Sequence, residues 1–168
     1  MKQLVLGGAR SGKSAVAEQR ALEFGLETVY VATAQARDAE MAARIAAHRA
    51  RRPRAWTVIE EPIALARVLR EHAAPDRCLV IDCLTLWLSN ILGADIDDAA
   101  KVAVVDAPTF ERERDALIDI LPHLPGEIIL VSNEVGMGIV PLGALARLVA
   151  QAYYDSRAAL GFPLVKRA

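Results

Sequence analysis

Three short stretches carry residue types and spacings that can do chemistry. The first is GGARSGKS, residues 7–14, with Gly7, Gly12, Lys13 and Ser14 at the fixed places of G-x-x-x-x-G-K-[ST]. The two glycines let backbone wrap a phosphate with its amide hydrogens turned inward. A helix opening directly after the loop adds its partial positive charge. Lys13 can reach the β- and γ-phosphates, and the Ser14 hydroxyl can ligate Mg²⁺. The second stretch is CLVID, residues 78–82, an apolar strand ending in an acid. A carboxylate at the C-terminal end of such a strand meets the cation of a bound nucleotide, which assigns Asp82 to a metal or substrate site.

The third stretch is RIAAHRARRP, residues 44–53, one histidine in a run of arginines. Cations around an imidazole favour loss of its proton. A neutral imidazole in a cationic field suits nucleophilic attack on an anionic centre. At about 100° per residue, Arg44, His48 and Arg51 share a narrow arc, flanked by Arg49 and Arg52. Met41 and Ile45 lie beside that arc and are expected to face the core. Spacing alone leaves two readings open: a nucleophile aimed at phosphate, or a solvated basic face with an incidental histidine. His72 closes a helix and His123 lies between Pro122 and Pro125. Neither has a partner constellation, and no Cys/His spacing suggests zinc.

Alternating strands and helices must hold these residues. Strands are expected at Gln3–Leu6, Thr28–Ala32, Trp56–Ile59, Cys78–Asp82 and Glu127–Val131. Helices are expected at Ala15–Phe24 with Gly25 as its stop, from an Asp38 cap to Arg51, from Pro62 to near His72, and at Leu84–Leu92 and Phe110–Leu121. Residues 93–108 are ambiguous, and Leu142–Leu160 reads mostly as helix. The ERERD run, residues 111–115, suits a solvated helix face. The alternation predicts an α/β fold with a mostly parallel sheet and helices on both faces.

Composition sets the frame. The 168 residues suit one domain, 1–168, and 54% hydrophobic content supports a core. Net charge is −1 and the isoelectric point is near 6.3, which gives no global nucleic-acid-binding character. Cys78 and Cys83 are too few for a disulfide framework and read as buried free thiols in a reducing cytosol. No apolar stretch reaches the length of a membrane span, and a cytoplasmic location is expected. No N-K-x-D base-reading motif of a GTPase is present.

GGARSGKS, VYVATAQARDAEMAARIAAHRARRPRAW, VIDCLTLWLSN and LVSNEVGMGIVP, in this order, resemble the bifunctional adenosylcobinamide kinase and adenosylcobinamide-phosphate guanylyltransferase family of cobalamin biosynthesis. The resemblance covers residues 3–141. The loop is generic, whereas the histidine stretch and SNEVGMGIVP are specific. The resemblance implies a P-loop NTPase-like domain that phosphorylates adenosylcobinamide with ATP or GTP. It then implies transfer of GMP from GTP to adenosylcobinamide phosphate, through a guanylylated histidine that matches His48. The implied nucleotide contacts are Gly7, Gly8, Ala9, Arg10, Ser11, Gly12, Lys13, Ser14, Ala32, Thr33, Ala34, Arg49, Ala50, Arg51, Arg52, Glu60 and Asp82. Ser14 and Asp82 are the implied Mg²⁺ ligands, Lys13 and His48 the catalytic pair, and a homotrimer the implied assembly. Residues 142–168 depart from the family pattern. They lack its polar helix, and GFPLVK resembles the family's last few residues without the apolar strand before it, so the resemblance does not carry the sheet edge or the trimer contacts. A P-loop small-molecule kinase without guanylyl transfer and an inactive nucleotide-binding homologue are the competing readings.

Overall fold

A computed structural model describes residues 1–8, 10–36, 38–95 and 108–133, together with a short strand at 164–166; for 93–95 and 164–166 only backbone is described. Among these residues, six strands form one sheet: β1 (Lys2–Gly7), β2 (Glu27–Ala32), β3 (Thr57–Glu60), β4 (Arg77–Asp82), β5 (Glu127–Asn133) and β6 (Leu164–Lys166). Their order is β3-β2-β4-β5-β1-β6, and every pairing is parallel. The helices are α1 (Lys13–Phe24), α2 (Ala39–Arg51), α3 (Leu65–His72), α4 (Leu84–Asp95) and α5 (Pro108–Ile120), the last running into a 3₁₀ turn at Leu121–His123.

Period-two alternation along the strands builds two cores. Leu4, Leu6, Val29, Val31, Leu79, Ile81, Ile128 and Leu130 pack under α3, α4 and α5. Val5, Tyr30, Val80, Ile129 and Val131 face the other way, against Ala17 and Ala21 of α1. Both faces of the central strands are therefore covered, which is why they read as unbroken apolar runs. Cys78 and Cys83 are buried free thiols. Burial pushes Cys78 up to about 12 and Cys83 up to about 11, so neither is a thiolate near neutral pH. No helix among the described residues is long and apolar enough to cross a membrane.

Three expectations change. The helix assigned from Pro62 starts instead at Leu65. Glu61 accepts the amides of Ile63 and Ala64 at 3.0 and 2.8 Å, holding Pro62 in a turn before the helix. The sheet edge does have a strand: Leu164–Lys166, within GFPLVK, pairs with Leu4–Leu6 of β1. Met41 and Ile45 do not enter the core, because α2 contains no buried residue. The helix assigned to Leu142–Leu160 and most of residues 93–108 lie outside the described residues, as does SNEVGMGIVP beyond Asn133.

Candidate active site

All five of the longer strands end at the same side of the sheet, where a parallel sheet gathers its ligands. Gly7, Ala32, Glu60, Asp82 and Asn133 are their last residues. The phosphate loop leaves β1 at Gly7 and re-enters regular structure at Gly12, which caps α1 with φ 82° and ψ 13°. That left-handed conformation is open to glycine at little cost. A Cβ on Gly7 would meet the Ser11 hydroxyl, which would have to turn aside to admit it. The Lys13 ammonium donates to the Gly8 carbonyl at 2.9 Å, lying back over the loop. No acidic side chain sits in the first turn of α1, so nothing on that turn cancels its positive end.

Helix α2 brings the histidine to this loop. Asp38 caps it, its Oδ1 accepting the Met41 amide at 2.7 Å. His48, Arg49 and Arg51 occupy its last turn, where cations are favoured by the helix dipole. The helix is held by polar pins rather than by a buried face. Arg49 pairs with Glu60 at the end of β3. Just past the helix, the Arg52 side chain is only 7% exposed and its Nε lies 3.7 Å from Glu18 Oε1 on α1. Arg51 approaches the other Glu18 oxygen at 3.9 Å.

His48 is partly buried. Burial, then the neighbouring Arg51 and Arg52, hold its pKa below the ordinary value, against the opposing pull of Asp82 and Glu18. The Arg51 guanidinium lies 3.4 Å from Nδ1. Arginine can only donate, so Nδ1 presents its lone pair and the neutral ring carries its proton on Nε2.

Two concavities meet at this point. One, of about 560 Å³, is lined by Arg10, Ser11 and Gly12 of the loop and by Arg51 of α2. The other, of about 310 Å³, runs over the strand ends and is lined by Ala32, Ala34, Arg49, Arg52, Glu60 and Asp82. Lys13, Ser14, Arg44 and His48 line both. The histidine, the loop lysine and the loop serine thus line one cleft, and its second arm ends at Asp82.

Asp82 is set by β2. Tyr30 donates its hydroxyl to Asp82 Oδ2 at 2.5 Å. No other hydrogen bond among the described residues engages that carboxylate. Ser14 and Asp82 present hard oxygen donors to the same cavity. One hydroxyl and one carboxylate fit Mg²⁺, which keeps several waters and takes its remaining ligands from phosphate oxygens. No cluster of three or more His, Cys, Asp or Glu suited to a metal occurs among the described residues.

Two residues expected at the site are not brought to it. Thr33 is fully buried, and its hydroxyl both donates to the Cys83 carbonyl and accepts the Cys83 amide, each at 2.8 Å. It braces the β4 terminus instead of facing the cavity. Ala50 is exposed and lines neither concavity, because two steps along a helix turn it about 200° away from His48. Gly7 and Gly8 shape the loop, and Ala9 lies outside the described residues. Sequence reasoning missed Tyr30 and Glu18, and it placed Met41 and Ile45 in the core although both line the smaller cavity. Asn133 closes β5 and lines the same cavity; its place as a polar residue at a strand end is the signal that could have found it.

Comparison with known proteins identifies the family. The sequence model of the cobinamide kinase / cobinamide phosphate guanyltransferase family matches residues 3–160. The bifunctional adenosylcobalamin biosynthesis protein CobP of Pseudomonas aeruginosa is 56% identical over 147 residues, covering 88% of this chain and 79% of that protein. The proteins named CobU of Escherichia coli and Salmonella typhimurium are each 38% identical over 150 residues, covering 88% of this chain and 82% of each protein. The chain belongs to the cobinamide kinase / cobinamide phosphate guanyltransferase family.

Proposed function

We propose that this chain performs both reactions of its family: phosphorylation of adenosylcobinamide by ATP or GTP, then transfer of GMP from GTP to adenosylcobinamide phosphate. The observation that carries this reading is the shared cleft, where His48 lines the same concavities as Lys13 and Ser14. A kinase alone needs the loop but has no use for a neutral histidine held beside it.

In the kinase step the loop amides and Lys13 hold the β- and γ-phosphates; the substrate hydroxyl attacks the γ-phosphorus and gives its proton to water, the Pγ–O bond to the β-phosphate breaks, and the nucleoside diphosphate leaves with the electron pair. Ser14 and Asp82 are the residues that would hold Mg²⁺, which when bound neutralises charge on the phosphate oxygens. In the guanylyl step the His48 lone pair attacks the α-phosphorus of GTP. An N–P bond forms, the Pα–O bond to the β-phosphate breaks, and pyrophosphate leaves with the electron pair. The phosphate oxygen of adenosylcobinamide phosphate then attacks the same phosphorus. The N–P bond breaks, the imidazole recovers its lone pair, and adenosylcobinamide-GDP is released. Arg44 and Arg51 face the concavity where the charge develops and can neutralise it. Arg51 leaves Nδ1 for a phosphate oxygen as attack begins.

Within this reading the protein is a cytoplasmic homotrimer, and Glu60 and Arg49 bind nucleotide from the β3 side. Incubation with adenosylcobinamide and GTP should give adenosylcobinamide-GDP and pyrophosphate. Accumulation of adenosylcobinamide phosphate alone would reduce the function to that of a kinase, and binding of GTP without either product would leave a nucleotide-binding homologue.

A further inference from the structure

Tyr30 is fully buried in the middle of β2, yet its hydroxyl reaches the site. Register explains how. Tyr30 lies opposite Val80, and Ala32 opposite Asp82, so Asp82 is the diagonal neighbour of Tyr30 on the same face of the sheet. A diagonal pair is within reach of an aromatic side chain. The ring is fixed on its own account. The Arg52 guanidinium lies 3.5 Å from its centroid, and Trp56 stacks with it at 6.2 Å and 22°. Arg52 is in turn anchored to Glu18. A phenylalanine would fill the same volume. The hydroxyl therefore has one partner to account for it, the carboxylate at the end of β4.

We propose that Tyr30 is a positioning residue for Asp82: its hydroxyl fixes Oδ2 and leaves Oδ1 as the oxygen offered to the divalent cation of the bound nucleotide. The proposal rests on the reading of Asp82 as a cation ligand. A carboxylate at a strand end that is free to rotate must be ordered each time the cation binds, and Tyr30 supplies that order in advance. The same arrangement ties the two chemistries together. The chain segment that leaves the His48 helix, through Arg52, packs on the ring that sets the cation ligand.

The test is Mn²⁺ affinity, read by electron paramagnetic resonance, for the full chain bound to a β,γ-imido GTP analogue. Wild type is compared with Tyr30→Phe, Asp82→Asn and the double variant. Thermal unfolding is measured alongside, and the phenylalanine variant keeps the ring contacts that hold the fold. Loss of a hydrogen bond to a charged group should weaken Mn²⁺ binding about tenfold in Tyr30→Phe. The same substitution should change nothing further in the Asp82→Asn background, where the oxygen it positions is gone. Wild-type Mn²⁺ affinity in Tyr30→Phe, with affinity lost in Asp82→Asn, would overturn the proposal and leave the cation site standing. A lower melting temperature without a change in Mn²⁺ affinity would overturn it as well. Wild-type affinity in Asp82→Asn would remove the cation-ligand reading itself, and the role of Tyr30 with it.

Discussion

Helices α1 and α2 form facing walls of one cleft, but they are held by different forces. α1 roots Ala17 and Ala21 in the core beneath the sheet. α2 buries none of its residues and is fixed by a cap at Asp38 and by the ion pairs of Arg49, Arg51 and Arg52 around it. The phosphate loop is thus mounted on packed apolar contact, which is stiff because interiors are close-packed. The histidine is mounted on charge, which acts over longer distances and tolerates displacement. A loop that must present several amides to one phosphate benefits from the first. A nucleophile that must meet an α-phosphorus and then release it to a second substrate benefits from the second.

Substitutions at the two walls should separate the two reactions. The largest effect is expected for His48→Ala, which should abolish covalent GMP transfer while leaving phosphorylation of adenosylcobinamide intact in a product assay. Equal loss of both reactions would mean that the two walls do not divide the chemistry. Lys13→Ala should slow phosphorylation by about 10²–10³-fold, the cost of removing one preorganised charge from a transferring phosphoryl group. Retained phosphorylation would count against the loop as the kinase site.

The mounting itself is tested by stability. Ala21→Leu on α1 overfills a packed interface and should cost about 1–3 kcal/mol in a denaturant titration. Ala46→Leu on the exposed side of α2 should stay within about 0.5 kcal/mol. Equal penalties would erase the contrast between the helices. The pH dependence of guanylylation gives a finer measure. The neutral fraction of His48 falls as pH drops through its pKa, which lies below the ordinary 6.5. The acid limb of the rate profile should therefore sit below that value. Arg51→Ala removes a cation and should move the limb upward, without restoring it fully, because burial is the larger cause. A limb that does not move would exclude Arg51 as a control on the ring. The smallest effect is expected for Glu60→Ala. Its ion pair with Arg49 is more than half exposed on both sides and should contribute about 0.2–1 kcal/mol to stability.

Much of this was legible in the chain because the signals are local. GGARSGKS fixes a loop through residue types that only one backbone path uses. The strands show as apolar runs because both faces are covered, and Asp38 announces α2 through a cap. What was not legible depends on residues distant in sequence. Thr33 looks like a polar residue at a strand mouth, but its hydroxyl is spent on Cys83, fifty positions away. Met41 and Ile45 have the spacing of a core stripe, and periodicity cannot distinguish a core from a cavity wall. Tyr30 reads as one more residue of a buried strand. Its role emerges only from the register of β2 against β4 and from the approach of Arg52, neither of which has a sequence signature. The β6 strand was missed because three residues against an edge carry too little pattern to be read.

The proposed carrier of GMP is one histidine, His48, on the charge-mounted wall. That role is tested most directly by incubating the protein with GTP labelled at the α-phosphate, digesting with trypsin at neutral to alkaline pH, and locating the label. One acid-labile, base-stable GMP adduct is expected on the peptide IAAHR, residues 45–49, and none in His48→Ala. Label on any other peptide, or no covalent label in the active protein, would contradict it.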